Sequence, residues 1–496
     1  MAKRYGNLIG GKWITQGSKG TLENRNPAND REIVGIFPQS GIKEVNAAVS
    51  AAKKAFEKWR LVPAPKRGEI IKRAGDLMVK YKEELAKLET REMGKILDET
   101  RGDVQEGIDT AYYMAGEGRR MFGDTVPCEL PNKTGFSIRQ PVGVCGMITP
   151  WNFPMAIPTW KAFPALVCGN TVVIKPATDT PATVVRLGEI LEEAGLPPGC
   201  FNIICGSGSG VGAPLCEHPD VRAISFTGST NVGAQIAEVC GRLNKKVSLE
   251  MGGKNAQIVM DDADLDLALQ GALWGAFGTS GQRCTATSRL ILHKKIAKKF
   301  IAMLVKEASK LRVGNGLDAK TQMGPIVNES AMKGILEYIR IGKEEDKATL
   351  ALGGKQLKRG NHAKGWFLEP TIFTGVTHKM RIFWEEIFGP VLSVIEVKSF
   401  DEAIERINQS HFGLSSSIYT RDVNRAFAAI RDIEAGITYI NGPTIGAEIQ
   451  LPFGGVKGTG NGHRESSHTV LDMFTEWKSV YVDFSGQLQR AQIDTE

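Results

Sequence analysis

Thr171-Val172-Val173-Ile174-Lys175, then Thr180 to Ala194, then Phe201-Asn202-Ile203-Ile204-Cys205 is the stretch from which the fold follows. The outer pieces are short, almost wholly apolar runs of strand length. The middle piece predicts a helix, with Gly195 just past its end and Pro197 beyond. The rhythm continues downstream. Gly206-Ser207-Gly208-Ser209-Gly210 opens a short helix, and Ala223-Ile224-Ser225-Phe226 is a strand. Thr227-Gly228-Ser229-Thr230 opens another helix to about Cys240, and Lys246 to Glu250 is a further strand. Apolar strands alternating with helices need cover on both faces. The fold class is therefore α/β, with a parallel, doubly wound sheet.

Working outward, residues 43 to 123 read as mostly helical. Val45, Ala48, Val49, Ala52 and Phe56 recur at helical spacing, as do Ile70, Ile71, Ala74, Leu77 and Met78. From 124 to 147, Pro127, Pro131, Gly135 and Pro141 break the chain into short β-like pieces, which suggests a projecting hairpin. Alternation resumes from 256 to about 440 and predicts a second α/β domain. Trp477 to Asp483 alternates like an edge strand, which invites pairing with another subunit.

The 496 residues suggest two to three domains. A net charge of +7 is spread over interspersed charges, which favours small anionic ligands weakly and nucleic acid hardly at all. No run approaches the roughly 18–20 apolar residues of a membrane helix, and the first residues carry no apolar leader. The eight cysteines form no C-x-x-C pair and read as reduced thiols, hence a cytoplasmic protein. The seven histidines are scattered, so no metal site is expected.

The chemistry concentrates in Phe277 to Arg289, where Cys284 sits in a small polar turn between a helical pattern (Asp264 to Phe277) and the run Leu290-Ile291-Leu292. A free cysteine is commonly a small buried hydrophobe, but a thiolate exposed in such a turn attacks carbonyls. Upstream, Val247-Ser248-Leu249-Glu250-Met251-Gly252-Gly253-Lys254-Asn255 ends a strand in a carboxylate, a candidate general base. Thr149-Pro150-Trp151-Asn152-Phe153-Pro154 brackets Asn152 with prolines, so its amide is either a turn group or a fixed donor to an oxyanion. Lys175 stands at a strand's carboxyl end, where α/β sheets bind ligands. Ser229 and Gly233 belong to a strand-to-helix turn that suits a pyrophosphate or is merely well capped. Glu386 and Phe388, in Trp384-Glu385-Glu386-Ile387-Phe388-Gly389-Pro390, could meet ribose hydroxyls and a flat ring, or be a surface acid and a core aromatic.

Taken together and in this order, these segments and Pro452-Phe453-Gly454-Gly455-Val456-Lys457 resemble the aldehyde dehydrogenase superfamily over about residues 7 to 484. The resemblance implies that Cys284 forms a thiohemiacetal with an aldehyde and then a thioester. Asn152 and the Cys284 backbone N–H would hold the oxyanion, Glu250 would activate water, and Lys161 would lie near the pocket. It implies a nicotinamide cofactor held by Ile148, Thr149, Pro150, Trp151, Lys175, Ala177, Thr178, Gly208, Phe226, Thr227, Gly228, Ser229, Gly233, Met251, Gly252, Glu386 and Phe388. NAD-preferring members usually carry Glu where this chain has Thr178, so NADP is expected, with NAD tolerated unless the adjacent Asp179 repels the phosphate. Thr90 to Lys95, Tyr113 to Gly118 and Asn255 look similar to bacterial α-ketoglutarate (2,5-dioxopentanoate) semialdehyde dehydrogenases. The alternative is a succinate-semialdehyde or broad aliphatic aldehyde substrate. Arg283, beside the thiol, is a candidate for the distal carboxylate or else a salt-bridged loop residue. The implied subunit has a dinucleotide-binding domain (1–123 and 144–255), a catalytic domain (256–470) and an oligomerisation element (124–143 and 471–496), assembled as a dimer or homotetramer. A thiol hydrolase would need a histidine partner, and no histidine lies near Cys284 in sequence. A CoA-acylating dehydrogenase would not need Glu250.

Overall fold

The computed structural model describes residues 2–490 and 492. Residue 1 and the last residues of the expected oligomerisation element, 491 and 493–496, lie outside the described residues. Two seven-stranded sheets and one three-stranded sheet organise the chain. In the first, the strands Lys246–Glu250, Val221–Thr227, Val144–Ile148, Thr171–Lys175 and Phe201–Ile203 lie side by side and parallel, as the alternation predicts. Every residue of the three strands Val144–Ile148, Thr171–Lys175 and Phe201–Ile203 is buried, which explains their uninterrupted apolar character. Asn7–Ile9 and Lys12–Ile14 extend this sheet antiparallel; they and the hairpin of Thr21–Asn26 and Asn29–Pro38 have no counterpart among the sequence expectations.

Helix Ala156–Cys168 is buried on all sides. It is apolar all round because it lies in the core beneath helices Ala64–Lys80 and Leu97–Glu117. Helix Pro181–Glu193 ends as expected, with Gly195 at φ +88°. Helices Ile42–Trp59 and Thr230–Arg242 cover the opposite face.

The second sheet runs Thr349–Leu352, Thr371–Thr374, Val391–Val397, Arg289–His293, Ala256–Val259, Ser415–Tyr419 and Ile437–Ile440, parallel except at its first strand. Beyond it, the chain returns to the first sheet. Met251 N donates to Thr459 O at 2.7 Å, and Glu250 pairs with Gly460. The expected hairpin is Thr125–Pro127 with Lys133–Pro141, and Thr475–Asp483 joins it antiparallel along its whole length. That last strand is an edge, with Trp477, Tyr481 and Val482 exposed.

Candidate active site

Strand register gathers the expected site residues along one edge of the first sheet. Ile148 stands opposite Lys175 on one side and Phe226 on the other, and Thr227 stands opposite Glu250. These are the carboxyl ends of parallel strands, where open α/β sheets bind ligands. At the far end, Lys175 Nζ donates to Pro176 O at 2.7 Å, and burial pushes its pKa down to about 8. Thr178 is exposed, Ala177 is half-buried, and Gly208 is exposed in the next loop. The Asp179 carboxylate accepts a hydrogen bond from Asn328 Nδ2 at 2.9 Å, which ties it to a neighbouring segment.

Ser229 precedes helix Thr230–Arg242, but its side chain caps nothing, so the first N–H groups stay available. Gly233 is buried, and a Cβ there would run into Met251 Sδ. A Cβ on Gly228 would lie 2.6 Å from the Phe226 ring. These two glycines let the helix close onto Phe226 and Met251. Thr149 has its N–H on Lys175 O, while its hydroxyl is buried without a partner among the described residues. Pro150 is half-buried, and Trp151 meets Phe388 edge-on at 5.4 Å.

The double glycine after Glu250 has a steric cause. Glu386 Oε1 accepts from Gly253 N at 2.9 Å. A Cβ on Gly252 would lie 2.5 Å from Glu386 Oε2, and one on Gly253 would lie 2.5 Å from Cys284 O. Burial raises Glu386 to about 7, against the pull of the Gly253 N–H and Lys254. An orphaned hydroxyl on Thr149, uncapped helix N–H groups, a strand-end lysine and a carboxylate over a glycine pair fit a dinucleotide laid across this edge.

The loop that carries Cys284 crosses from the second sheet. Thr279, Ser280 and Gly281 all adopt positive φ (+52°, +55° and +68°). A side chain on Gly281 would strike Gly389 O. The strained turn is held from several directions. Thr279 N donates to Glu99 Oε1 at 2.7 Å, and Ser280 Oγ to Gly324 O at 2.7 Å. The Gln282 amide bridges Thr279 O, Pro325 O and Val327 N. Asn255 Nδ2 donates to Cys284 O at 2.7 Å and Ala286 O at 3.0 Å. Burial pushes the Cys284 thiol up to about 12, and the carboxylates of Glu250 and Glu386 add to it; the backbone N–H groups of Cys284 and Thr285 oppose the shift.

Glu250 is buried, and its carboxyl is raised well above the usual range, first by burial and then by Glu465; Lys161, Arg464 and the Gly455 N–H pull the other way. Lys161, on the buried helix, donates to Glu465 Oε1 at 2.5 Å and Ser225 Oγ at 2.9 Å. Asn152 Nδ2 donates to Gln282 O at 3.1 Å, while its Oδ1 has no partner among the described residues. Only the nitrogen can face that carbonyl, so the amide's orientation is set.

Cys284, Glu250 and Glu465 line one cavity of about 680 Å³. Phe153, Trp160, Trp274, Phe277 and Phe453 supply much of its wall, and Arg283 is the one cationic lining residue among the described residues. Arg283 Nη2 pairs with Glu99 at 3.3 Å and Nε donates to Thr279 Oγ1 at 2.8 Å, so the guanidinium both lines the cavity and braces the loop.

Residues 13–480 match the model of the aldehyde dehydrogenase family. The chain belongs to the aldehyde dehydrogenase family. It is an oxidoreductase of a family that uses NAD(P). The chain is 43% identical, over 96% of its length and 98% of the relative's, to the α-ketoglutaric semialdehyde dehydrogenase of Bacillus subtilis. It is 39% identical, over 94% and 95%, to the NADP(+) succinate-semialdehyde dehydrogenase of Escherichia coli. A Staphylococcus aureus betaine aldehyde dehydrogenase solved with NAD+ superposes with a TM-score of 0.95, at 34% identity over 98% of this chain and 97% of that one. Within this member of the family, sequence reasoning missed Gln282 as the brace of Asn152, Glu465 and Ser225 as the partners of Lys161, and Glu99 as the partner of Arg283. The Gly-Gln-Arg-Cys motif placed Gln282 and Arg283 beside the thiol; no local signal points to Glu465. Among the described residues no cluster could hold a metal ion, and no helix is long and apolar enough to cross a membrane.

Proposed function

We propose that this chain oxidises α-ketoglutarate semialdehyde to the dicarboxylate, using NADP and tolerating NAD. The observation that carries the reading is one cavity lined by Cys284, Glu250 and Arg283, together with a strand-end Lys175 that has Thr178, not an acid, three residues on. The Cys284 thiol passes its proton to water, the sulfur bonds to the aldehyde carbon, and the carbonyl pair moves onto oxygen. Asn152 offers its second amide N–H, and Cys284 its backbone N–H, to that oxygen. A bound nicotinamide supplies the hydride acceptor. With the hydride gone, the sulfur carries a thioester. Glu250 takes a proton from water, the hydroxide adds to the thioester, and the thiol leaves as the acid forms. Glu250 must lose its own proton first, and the Lys161–Glu465 pair beneath it biases that charge.

For the cofactor, the neutral Thr178 beside the strand-end Lys175 supports NADP; the Asp179 carboxylate, held by Asn328, still bears on Lys175 and is the group that would weigh against it. Lys175, Ser229, Glu386 and Phe388 would hold the dinucleotide, with Ile148 to Trp151, Ala177, Thr178, Gly208, Phe226 to Gly228, Gly233, Met251 and Gly252 forming its bed. The three sheets support a division into a cofactor domain, a catalytic domain and an oligomerisation element. The exposed edge Thr475–Asp483 supports a homodimer or homotetramer. Eight unpaired cysteines support a reducing, cytoplasmic setting.

The test is the absorbance of reduced dinucleotide on mixing enzyme with NADP or NAD and α-ketoglutarate semialdehyde, succinate semialdehyde or pentanal. The expected order of kcat/KM places α-ketoglutarate semialdehyde with NADP first, and Cys284→Ala abolishes the signal. A preference for pentanal would overturn the substrate reading, and a strong preference for NAD the cofactor reading.

A further inference from the structure

The catalytic cavity holds an acid that the reaction above does not use. Helix Leu97–Glu117 turns one face to it, and Asp98, Glu99, Asp103 and Glu106 line the wall at helical spacing. Three of the four are matched. Asp98 pairs with Arg101 at 2.8 Å, and Glu99 holds Arg283 and Thr279 N. Asp103 pairs with Lys95 at 2.8 Å and accepts from Ala156 N at 2.7 Å. Glu106 has no ion pair or side-chain hydrogen bond among the described residues, and its Oε1 is sealed from water. Leaving a buried polar atom unpaired is costly. A group that bears this cost while facing a ligand cavity is a candidate to meet the ligand.

Resting on the substrate reading above, we infer that Glu106 is a specificity-determining residue: its protonated carboxyl donates a hydrogen bond to the distal carboxylate of a carboxylate-terminated semialdehyde, beside the guanidinium of Arg283. Two observations set the chemistry. Arg283 commits Nε and Nη2 to Thr279 and Glu99, and its Nη1 has no hydrogen-bond partner among the described residues. An open guanidinium N–H next to an acid O–H makes a donor pair for one carboxylate. The charged groups that act on Glu106 are Asp103 and Asp109 of its own helix, Lys95 and Arg283, and the neutral phenol of Tyr439 faces it from the strand Ile437–Ile440. Burial and then Asp103 outweigh Arg283 and Lys95 and raise its pKa to about 8, so the acid form prevails at neutral pH. The rival arrangement, an ionised Glu106 receiving an ω-ammonium aldehyde, is opposed by the same burial and by repulsion from Arg283.

The experiment compares wild type, Glu106→Gln and Glu106→Leu with α-ketoglutarate semialdehyde, succinate semialdehyde, pentanal and 4-aminobutanal between about pH 7 and pH 9. Taking each KM relative to that of pentanal removes the titrations of Cys284 and Glu250. In wild type the semialdehyde KM ratio is expected to rise about tenfold across this range, as a donor with a pKa of about 8 is lost. Glu106→Gln keeps a donor N–H, holds the ratio low and flattens the profile. Glu106→Leu raises the semialdehyde ratio about tenfold or more at neutral pH, in KM rather than kcat. A semialdehyde ratio within twofold of wild type in Glu106→Leu overturns the inference, as does a pH rise that persists in Glu106→Gln. A loss confined to 4-aminobutanal overturns it in favour of the ionised form. If wild type shows no preference for either semialdehyde over pentanal, the substrate reading and this inference fall together. If wild type prefers them and Glu106→Leu does not change that preference, this inference alone falls.

Discussion

Gly252→Ala isolates the contact that most directly couples the cofactor edge to the second sheet. The new Cβ would sit 2.5 Å from Glu386 Oε2, about 1 Å inside ordinary van der Waals contact. The main chain on the other side is fixed by Met251 N on Thr459 O, so the carboxylate must retreat. A retreat of that size stretches the 2.9 Å bond from Gly253 N to Glu386 Oε1 beyond hydrogen-bond range. A carboxylate displaced that far also gives up the hydrogen bond proposed between Glu386 and the dinucleotide, and a hydrogen bond to a charged group contributes about 1.5–3 kcal/mol, which corresponds to roughly 10- to 150-fold in affinity. Initial rates at saturating semialdehyde and varied NADP should therefore show the dinucleotide KM raised at least about tenfold, with circular dichroism unchanged. Gly253→Ala is the internal control. Its Cβ meets Cys284 O instead, so the loss should fall on kcat and on the rate of thiol alkylation. A dinucleotide KM within twofold of wild type in Gly252→Ala would refute the reasoning that Glu386 reaches the cofactor only because position 252 has no side chain.

Three further outcomes follow from the site. Glu250→Gln should leave the first turnover intact and stall the thioester, giving a burst of about one reduced dinucleotide per subunit and a steady rate lowered about 100-fold or more; a steady rate near wild type would assign the water to another base. Because burial raises the Cys284 thiol to about 12, iodoacetamide labelling of the free enzyme should climb about tenfold per unit from pH 7 to pH 9 without a plateau; a plateau near neutrality would show a thiolate stabilised at rest. Lys161→Met leaves Glu465 buried without its cation and should cost about 3–5 kcal/mol, read as a lower urea midpoint; pairing it with Glu465→Leu should recover much of that loss.

The cofactor sheet was legible because its central strands are buried at every position, so their composition is free of solvent-facing residues and contrasts sharply with the helices between them. Asn7–Ile9 and Lys12–Ile14 escaped because three residues carry no period, and the second of them is exposed throughout. Cys284, Glu250 and Asn152 could be named because each residue type is unusual in its setting: a thiol in a glycine turn, an acid closing an apolar strand, an amide between prolines. Lys161 could be named only by resemblance, since its meaning depends on Glu465, 304 residues away in the chain. Glu106 stayed hidden for the opposite reason. An acid on a helix reads as part of a solvated face, and nothing local tells that this face closes a cavity. Nothing local explains the glycine pair at 252 and 253; what excludes a side chain there is the approach of Glu386 and of the Cys284 carbonyl.

Helix Leu97–Glu117 therefore forms part of the cavity wall even though it carries none of the residues proposed for the chemistry. Thr279 and Ser280 hold backbone angles that cost of order 1–3 kcal/mol each in ordinary chains. Such a turn persists only if its surroundings over-determine it, and Glu99 is one of the groups that do so. Its single carboxylate receives the Thr279 N–H and the Arg283 guanidinium together, so the acid that supports the strained turn also aims the cation that lines the cavity. Seven residues further along, the same helix presents Glu106. A shift of this helix would move the Cys284 loop, the guanidinium and the unpaired acid as one body. Reactivity at Cys284 and selectivity at the distal end of the substrate then rest on one rigid element, and changes to the buried face of that helix should alter both at once.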